Sequence, residues 1–335
     1  MKHINIPIFI QHMGCPNQCV FCDQHAITGA HSFSFEKVRE DIEAVLETAD
    51  NCVCEIAFFG GSFTGIDRDL MIELLSLAKE YVDTKRVSGI RLSTRPDYIS
   101  EKICDILSCY PISQVELGIQ SFSDKVLWEC ARGHKAQVSY DAVRLLKNRG
   151  FSVVGQMMVG LPGADLESEI ETARIICSEG CDSARIYPCV VFRNTPLERM
   201  TREGMYTPLG IWDAVDRGAE VYKIFLENGV PCLKIGLHES ENLHSEKTYF
   251  AGPNHASIGE LIRGKVYYDK IISALEKEQT KGKHLTVFVP KGATSMAVGQ
   301  KKVYKDRIME KSMAKSLKIL EKETLSSYNI SIDLK

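Results

Sequence analysis

The chain has no apolar run near the ~18–20 residues that a membrane span needs. Its start, MKHINIPIFI, holds no long apolar stretch leading to a small-residue cleavage site. No membrane partner and no secretory leader are expected, and the reading is a cytoplasmic protein. Low-complexity tracts are missing too, and the only repeat is an alternation of strand and helix patterns. Collagen, coiled coil and wholesale disorder are excluded. With no leader in view, the twelve cysteines among 335 residues do not read as a disulfide scaffold. Closely spaced cysteines in such a chain point to metal binding or catalysis.

What is present is ordinary globular material, 44% hydrophobic and 25% charged, enough for a sizeable core. The net charge of -3 hides an asymmetry. Residues 281–335 carry 12 of the 41 Lys+Arg and 5 of the 44 Asp+Glu, a balance of +7 that leaves -10 on the rest. A basic tail on an acidic body fits a polyanionic partner, or a solvated helical face.

Short β-branched runs alternate with amphipathic stripes over the first two thirds. Ile4–Gln11, Glu55–Phe59, Gly89–Ser93, Gln114–Ile119, Val153–Val159 and Ser183–Val190 read as strands. Helical spacing appears in Val38, Ile42, Val45 and Leu46, in Leu70, Leu74, Leu77, Ala78 and Tyr81, and around 101–108, 140–149, 166–179 and 208–228. Six such units predict an α/β fold, a partial (β/α)6 TIM-like barrel, with ligands expected at the carboxyl ends of the strands. The expected divisions are a barrel over 1–235, a loop-and-helix extension over 236–280, and a small basic α+β tail over 281–335. In the extension, His238, His244, His255 and Glu260 mark a candidate lid.

The sharpest local signal is Cys15-Pro16-Asn17-Gln18-Cys19-Val20-Phe21-Cys22, directly after the first strand. Three thiolates on one turn match three irons of a [4Fe–4S] cube, whose full complement is four. The fourth iron is then open to a small chelating molecule. His12 and His25 stand close by, so zinc is the alternative. Cys177, Cys181 and Cys189 form a second, looser grouping.

The Cys-x3-Cys-x2-Cys motif, with Phe21 before the third cysteine, resembles the signature of the radical S-adenosylmethionine superfamily. Further motifs follow in that family's order over roughly residues 4–200. Within it the chain looks most like the radical domain of the Elongator catalytic subunit, a tRNA-modifying enzyme, and the oxygen-independent coproporphyrinogen oxidase group. The resemblance implies that Cys15, Cys19 and Cys22 ligate a [4Fe–4S] cluster and that S-adenosylmethionine is the second cofactor. Phe21 is then expected to flank the adenine. Gly60, Gly61, Ser62 and Phe63, in the turn after the second strand, correspond to the motif that receives the methionine amino group. Thr94, in Thr94-Arg95-Pro96-Asp97, matches an Elongator-type segment. Gln120 corresponds to a ribose contact, Arg132 to the partner of the methionine carboxylate, and Gln156 to a residue near adenine and ribose. Arg185 stands where Elongator relatives usually carry Lys.

The resemblance further implies reductive cleavage of S-adenosylmethionine and a low-potential electron donor. No segment after residue 200 has the character of an acetyl-CoA site, so acetyl transfer is not expected. RNA is the expected substrate. The alternatives are a small molecule, as in the coproporphyrinogen enzymes, and a non-catalytic iron–sulfur protein. The tail loosely resembles a KH module, with Gly299-Gln300-Lys301-Lys302 in place of its Gly-x-x-Gly loop.

Overall fold

The computed structural model describes residues 2–10, 12–15, 19–23, 33–49, 51–237, 243–276 and 278–335. Pro16, Asn17, Gln18, His25 and His238 lie outside them. Seven parallel strands form one open sheet in the order β1-β2-β3-β4-β5-β6-β8. They are β1 (Lys2–Phe9), β2 (Cys52–Phe59), β3 (Gly89–Thr94), β4 (Ile112–Gln120), β5 (Val153–Val159), β6 (Ser183–Pro188) and β8 (Cys232–Ile235). Crossover helices α1 (Phe35–Leu46), α2 (Arg68–Asp83), α3 (Glu101–Leu107), α4 (Asp124–Glu129), α5 (Ala136–Asn148), α6 (Leu166–Ser178), α7 (Pro196–Arg202) and α8 (Ile211–Glu227) separate them. The result is a half-barrel with helices behind the sheet, the partial TIM barrel expected. It has one strand more than the six read from sequence.

The helices begin where the sequence supplies caps. Asp67, Ser100, Ser123 and Thr195 each accept a backbone N–H of the first turn they open, and Asp165 forms a capping box with Ser168. Their apolar stripes pack against the outer face of the sheet, with Ile56, Leu92, Leu117 and Val153 fully buried there. The expected run Ser183–Val190 ends its ladder at Pro188. A short strand β7 (Val191–Phe192) then pairs antiparallel with β9 (Tyr249–Ala251).

The extension thus holds a strand as well as the expected loop and helix. After β9 comes α9 (Ile258–Leu275), which packs along α8. The tail forms a three-stranded sheet in the order β11-β10-β12, with β10 (His284–Val289), β11 (Ser316–Glu321) and β12 (Ser331–Leu334). Two helices, α10 (Thr294–Val298) and α11 (Val303–Ser312), join β10 to β11. This tail shares one core with the barrel. The Tyr267 and Tyr328 rings stack at 4.7 Å, Tyr222 meets Tyr328 edge-on at 5.7 Å, and the Tyr304 hydroxyl donates to Leu261 O at 2.5 Å. Among the described residues no helix is long and apolar enough to cross a membrane.

Candidate active site

The loop after β1 is sewn to the loop after β2 by backbone bonds. Ile10 N donates to Phe59 O at 2.8 Å, His12 N to Gly60 O at 2.9 Å, and Ser62 N to Met13 O at 3.0 Å. The two loops touch so closely that glycine is required on both sides. A Cβ on Gly61 would lie 2.5 Å from Ile10 O, and one on Gly14, itself at φ +71, would lie 2.3 Å from Ser62 O. On its far side the cysteine loop is held by Val20 N donating to Cys130 O and by Leu197 N donating to Val20 O.

Cys15, Cys19 and Cys22 line a single cavity of about 160 Å³, together with Phe21, Gly60, Gly61, Thr94, Arg95, Gln120, Arg132 and Gln156. Seven of the nine contacts expected around S-adenosylmethionine line this space; Ser62 and Phe63 do not. The Phe63 ring points away from it, fully buried in the core and stacked on Phe58 at 4.5 Å. The Ser62 side chain also turns inward. Its hydroxyl bonds Thr94 Oγ1 at 3.0 Å and accepts Arg95 N at 3.2 Å, while Thr94 Oγ1 meets Thr64 Oγ1 at 2.6 Å. From the glycine turn, the cavity wall is Gly60 and Gly61.

Two guanidiniums converge on one thiol. Arg132 Nη1 donates to Cys19 Sγ at 3.2 Å and Arg95 Nη1 reaches it at 3.6 Å. Arg95 is fixed by two 2.9 Å bonds to Asp97 and by a bond to Arg132 O. Burial pushes the Asp97 carboxyl up, but the Arg95 bonds outweigh it and hold the group below the usual carboxylate range. Burial raises the Cys15 thiol, and Arg95 pulls against it.

The donor chemistry fits the implied cofactors. Gln120 Oε1 and Arg132 Nε are buried with no hydrogen-bond partner, and both residues border the thiol cavity. Such atoms cost free energy unless a ligand satisfies them. Gln120 is also held at φ +67, where β4 slips register between Gly118 and Gln120. A left-handed non-glycine residue at a cavity wall is where strain gathers at functional sites. Among the described residues, no three His, Cys, Asp or Glu close on a single metal ion. In a cube each thiolate takes its own iron, so the sulfurs stand further apart than around one ion.

A second cavity, of about 200 Å³, opens beside the first and shares Phe21, Cys22, Gly60, Ser93, Gln120 and Gln156 with it. Its walls are Phe9, Phe59, Met158, Pro188, Val190, Phe192 and Leu237, and Glu116, Tyr187, Arg185 and Lys234 form its polar side. Glu116, 1% exposed, accepts from Arg91 at 3.0 Å, Arg185 at 2.6 Å and Gln156 Nε2 at 2.9 Å. Sequence reading gave Glu116, Arg91 and Lys234 no role and left Arg185 without one. The signal was present: each is a charged residue inside a strand, at an inward-facing position. Their pairing depends on register between strands far apart in sequence.

The lid residues separate. His255 borders a small cavity beside Lys234, and its Nδ1 accepts Ser257 N at 3.0 Å. Glu260 instead faces the Gly299–Lys302 turn, at a different cavity. Cys177 and Cys181 belong to the main core, and Cys189 packs in another cluster with Cys130 and Tyr206. Burial pushes Cys177 up to about 11, and Cys181 and Cys189 up to about 12, which makes them inert thiols.

Comparison with known proteins identifies the family of the chain. The profile of the Radical SAM superfamily matches residues 10–176, and that of the Radical_SAM C-terminal domain matches 181–268. An uncharacterized protein of Methanocaldococcus jannaschii is 29% identical over 221 residues, 62% of this chain and 67% of that one. The tRNA uridine(34) acetyltransferase of the same organism is 33% identical over 134 residues, 39% of this chain and 25% of that one. The human Elongator complex protein 3 is 31% identical over 136 residues, again spanning a quarter of the longer chain. In fold, the archaeal Elp3 of Methanocaldococcus infernus, solved with an N-terminal deletion, superposes with a TM-score of 0.60 at 21% identity, covering 80% of this chain and 67% of that one. Family membership implies a [4Fe–4S] cluster and S-adenosylmethionine. The chain belongs to the radical S-adenosylmethionine superfamily of enzymes, related to the radical domain of Elongator protein 3.

Proposed function

We propose that this enzyme holds a [4Fe–4S] cluster on Cys15, Cys19 and Cys22, cleaves S-adenosylmethionine beside it, and acts on RNA. Bound together, the two cofactors supply one-electron cleavage of the sulfonium to methionine and a 5′-deoxyadenosyl radical that abstracts hydrogen. The electron comes from a low-potential donor protein.

The chain's own contribution is placement. Arg132 offers its free Nε to the methionine carboxylate, Gly60 and Gly61 leave bare backbone for the amino group, and Gln120 Oε1 accepts from the ribose. Thr94, held by Ser62 and Thr64, keeps the turn after β3 in place. Phe21 and Gln156 stand on the wall common to both cavities, where cofactor and substrate would meet, and Phe21 excludes water there. The observation that carries the reading is this shared wall: a substrate in the second cavity lies next to whatever occupies the first.

RNA as substrate is supported by the +7 balance of residues 281–335. The tail has a single ion pair of its own among the described residues, Lys291–Glu323 at 3.2 Å, which leaves most of its lysines for phosphate. Lys301 and Lys302 are exposed, with φ of +51 and +64, on the turn between α10 and α11. A small-molecule substrate is the second reading, favoured by the apolar walls of the cavity. Anaerobic reconstitution with S-adenosylmethionine, reductant and total RNA tests both. The expected result is 5′-deoxyadenosine with an altered nucleoside. Product without any RNA change moves the substrate to the second class. Cys19→Ala abolishes 5′-deoxyadenosine; wild-type yield from that variant would defeat the proposal.

A further inference from the structure

We infer that the second cavity recognises one anionic group on its substrate, at Lys234 with Arg185 beside it. The inference rests on the reading that the substrate lies in this cavity.

The argument begins with charge along the inner face of the half-barrel. Arg91 stands between Glu116 at 3.0 Å and Glu55 at 3.6 Å. Arg185 spends Nη2 on Glu116 at 2.6 Å and Nη1 on the Tyr187 hydroxyl at 3.1 Å. Its Nε is buried with no partner. One strand further on, Lys234 is the register partner of Arg185, so both side chains leave the sheet on the same face. Lys234 is half-buried, and among the described residues its ammonium has no hydrogen bond or ion pair; its backbone carbonyl accepts from Cys232 Sγ. Two carboxylates thus face three basic side chains, and the one with no carboxylate partner is Lys234.

Two neighbouring cations against aromatic walls repel each other, and the low local polarity strengthens that repulsion. An anion between them relieves it and satisfies Arg185 Nε. Moved to Lys234, Glu116 would leave Arg185 buried without a carboxylate and Arg91 with only the longer Glu55 contact, which costs more than it returns. Arg185 is fixed by Glu116 and Tyr187, while Lys234 sits on a flexible stem, so the pair combines a rigid and an adjustable contact. Phe9, Phe59 and Phe192 suit an aromatic or apolar body behind the anion. The ligand class is an apolar or aromatic body bearing one phosphate or carboxylate. The RNA reading expects the phosphate.

The test is amidination of lysines by methyl acetimidate in the reconstituted full-length protein with S-adenosylmethionine bound, read by mass spectrometry. Labelling at Lys234 is expressed relative to the exposed barrel lysines Lys102 and Lys125 in the same sample. The probes are phenyl phosphate, benzoate and benzyl alcohol. Either anion at ten times its Kd should slow Lys234 by about tenfold, and the neutral alcohol should not. Protection by phenyl phosphate alone assigns a phosphoryl group, and protection by benzoate alone a carboxylate. Unchanged labelling with both anions, or equal slowing by the alcohol, overturns the proposal. So does protection by S-adenosylmethionine alone, which would give Lys234 to the cofactor. The same preparation is assayed for 5′-deoxyadenosine. Its formation without protection sinks only this inference, whereas protection without its formation sinks the radical reading and leaves the anion site standing.

Discussion

The two cavities that share Phe21 and Gln156 are built from opposite materials. The thiol cavity sets its thiols and arginines on a frame fixed by backbone: two loops laced by main-chain bonds, glycines where no Cβ fits, and a left-handed glutamine. The neighbouring cavity is bounded by side chains, with a buried carboxylate gripping two arginines among phenylalanines. A cofactor common to a whole family is met by groups that substitution cannot easily alter. A substrate is met by groups that substitution can change one at a time. The difference predicts opposite sensitivities.

The largest effect is expected on the side-chain cavity. Glu116→Gln takes the only carboxylate from Arg185 and the nearer of two from Arg91, which keeps Glu55, and should cost about 3 kcal/mol, seen as a fall in the denaturant midpoint. An unchanged midpoint would show that the arginines find water or other partners and that this cavity is not dry. Next comes Gly61→Ala. Overlap with Ile10 O and Met13 O forces the loops apart at a cost of about 1–3 kcal/mol, and cluster absorbance should fall by more than the melting temperature implies. Thr94→Val is smaller. Ser62 keeps Arg95 N and Thr64 keeps Tyr98 O, so about 1 kcal/mol is expected. A much larger loss of S-adenosylmethionine affinity in that variant would mark the hydroxyl as a direct contact.

The smallest effect is a pH dependence. Burial holds the His134 imidazole below its ordinary 6.5, and the neighbouring Arg132 adds to it. The folded chain therefore favours the neutral ring. Its contribution is complete above the unfolded value and is lost as pH falls through the lowered folded one. His134→Gln should flatten the decline of stability below about pH 6.5, measured by denaturant midpoints across that range. An identical slope in the variant would assign the acid sensitivity to other groups.

Most strands and helices of the barrel were legible because each has a local period; the helices Asp124–Glu129 and Pro196–Arg202, of six and seven residues, were not read. The strand missed, Cys232–Ile235, is four residues long, follows a proline and carries Lys234 in its middle, so it has no apolar alternation to read. Sequence spacing likewise exposed the thiol cavity, since Cys15, Cys19 and Cys22 are neighbours along the chain. Phe63 was placed with the cofactor because it adjoins Gly60 and Gly61, yet the 3-10 turn it opens carries its ring inward onto Phe58. Register alone sets the Glu116 network, joining residues 91, 116, 156 and 185 through four adjacent strands.

The clustered tyrosines at 222, 267 and 328 have a consequence for dissecting this protein. Shortening the chain near residue 280 would strip a lid of rings from two barrel helices and leave Tyr222 and Tyr267 wetted. Such a truncation tests solubility before it tests RNA affinity. Charge reversal at Lys301 and Lys302, which touches no interior packing, is the cleaner way to ask what the basic end of the molecule holds.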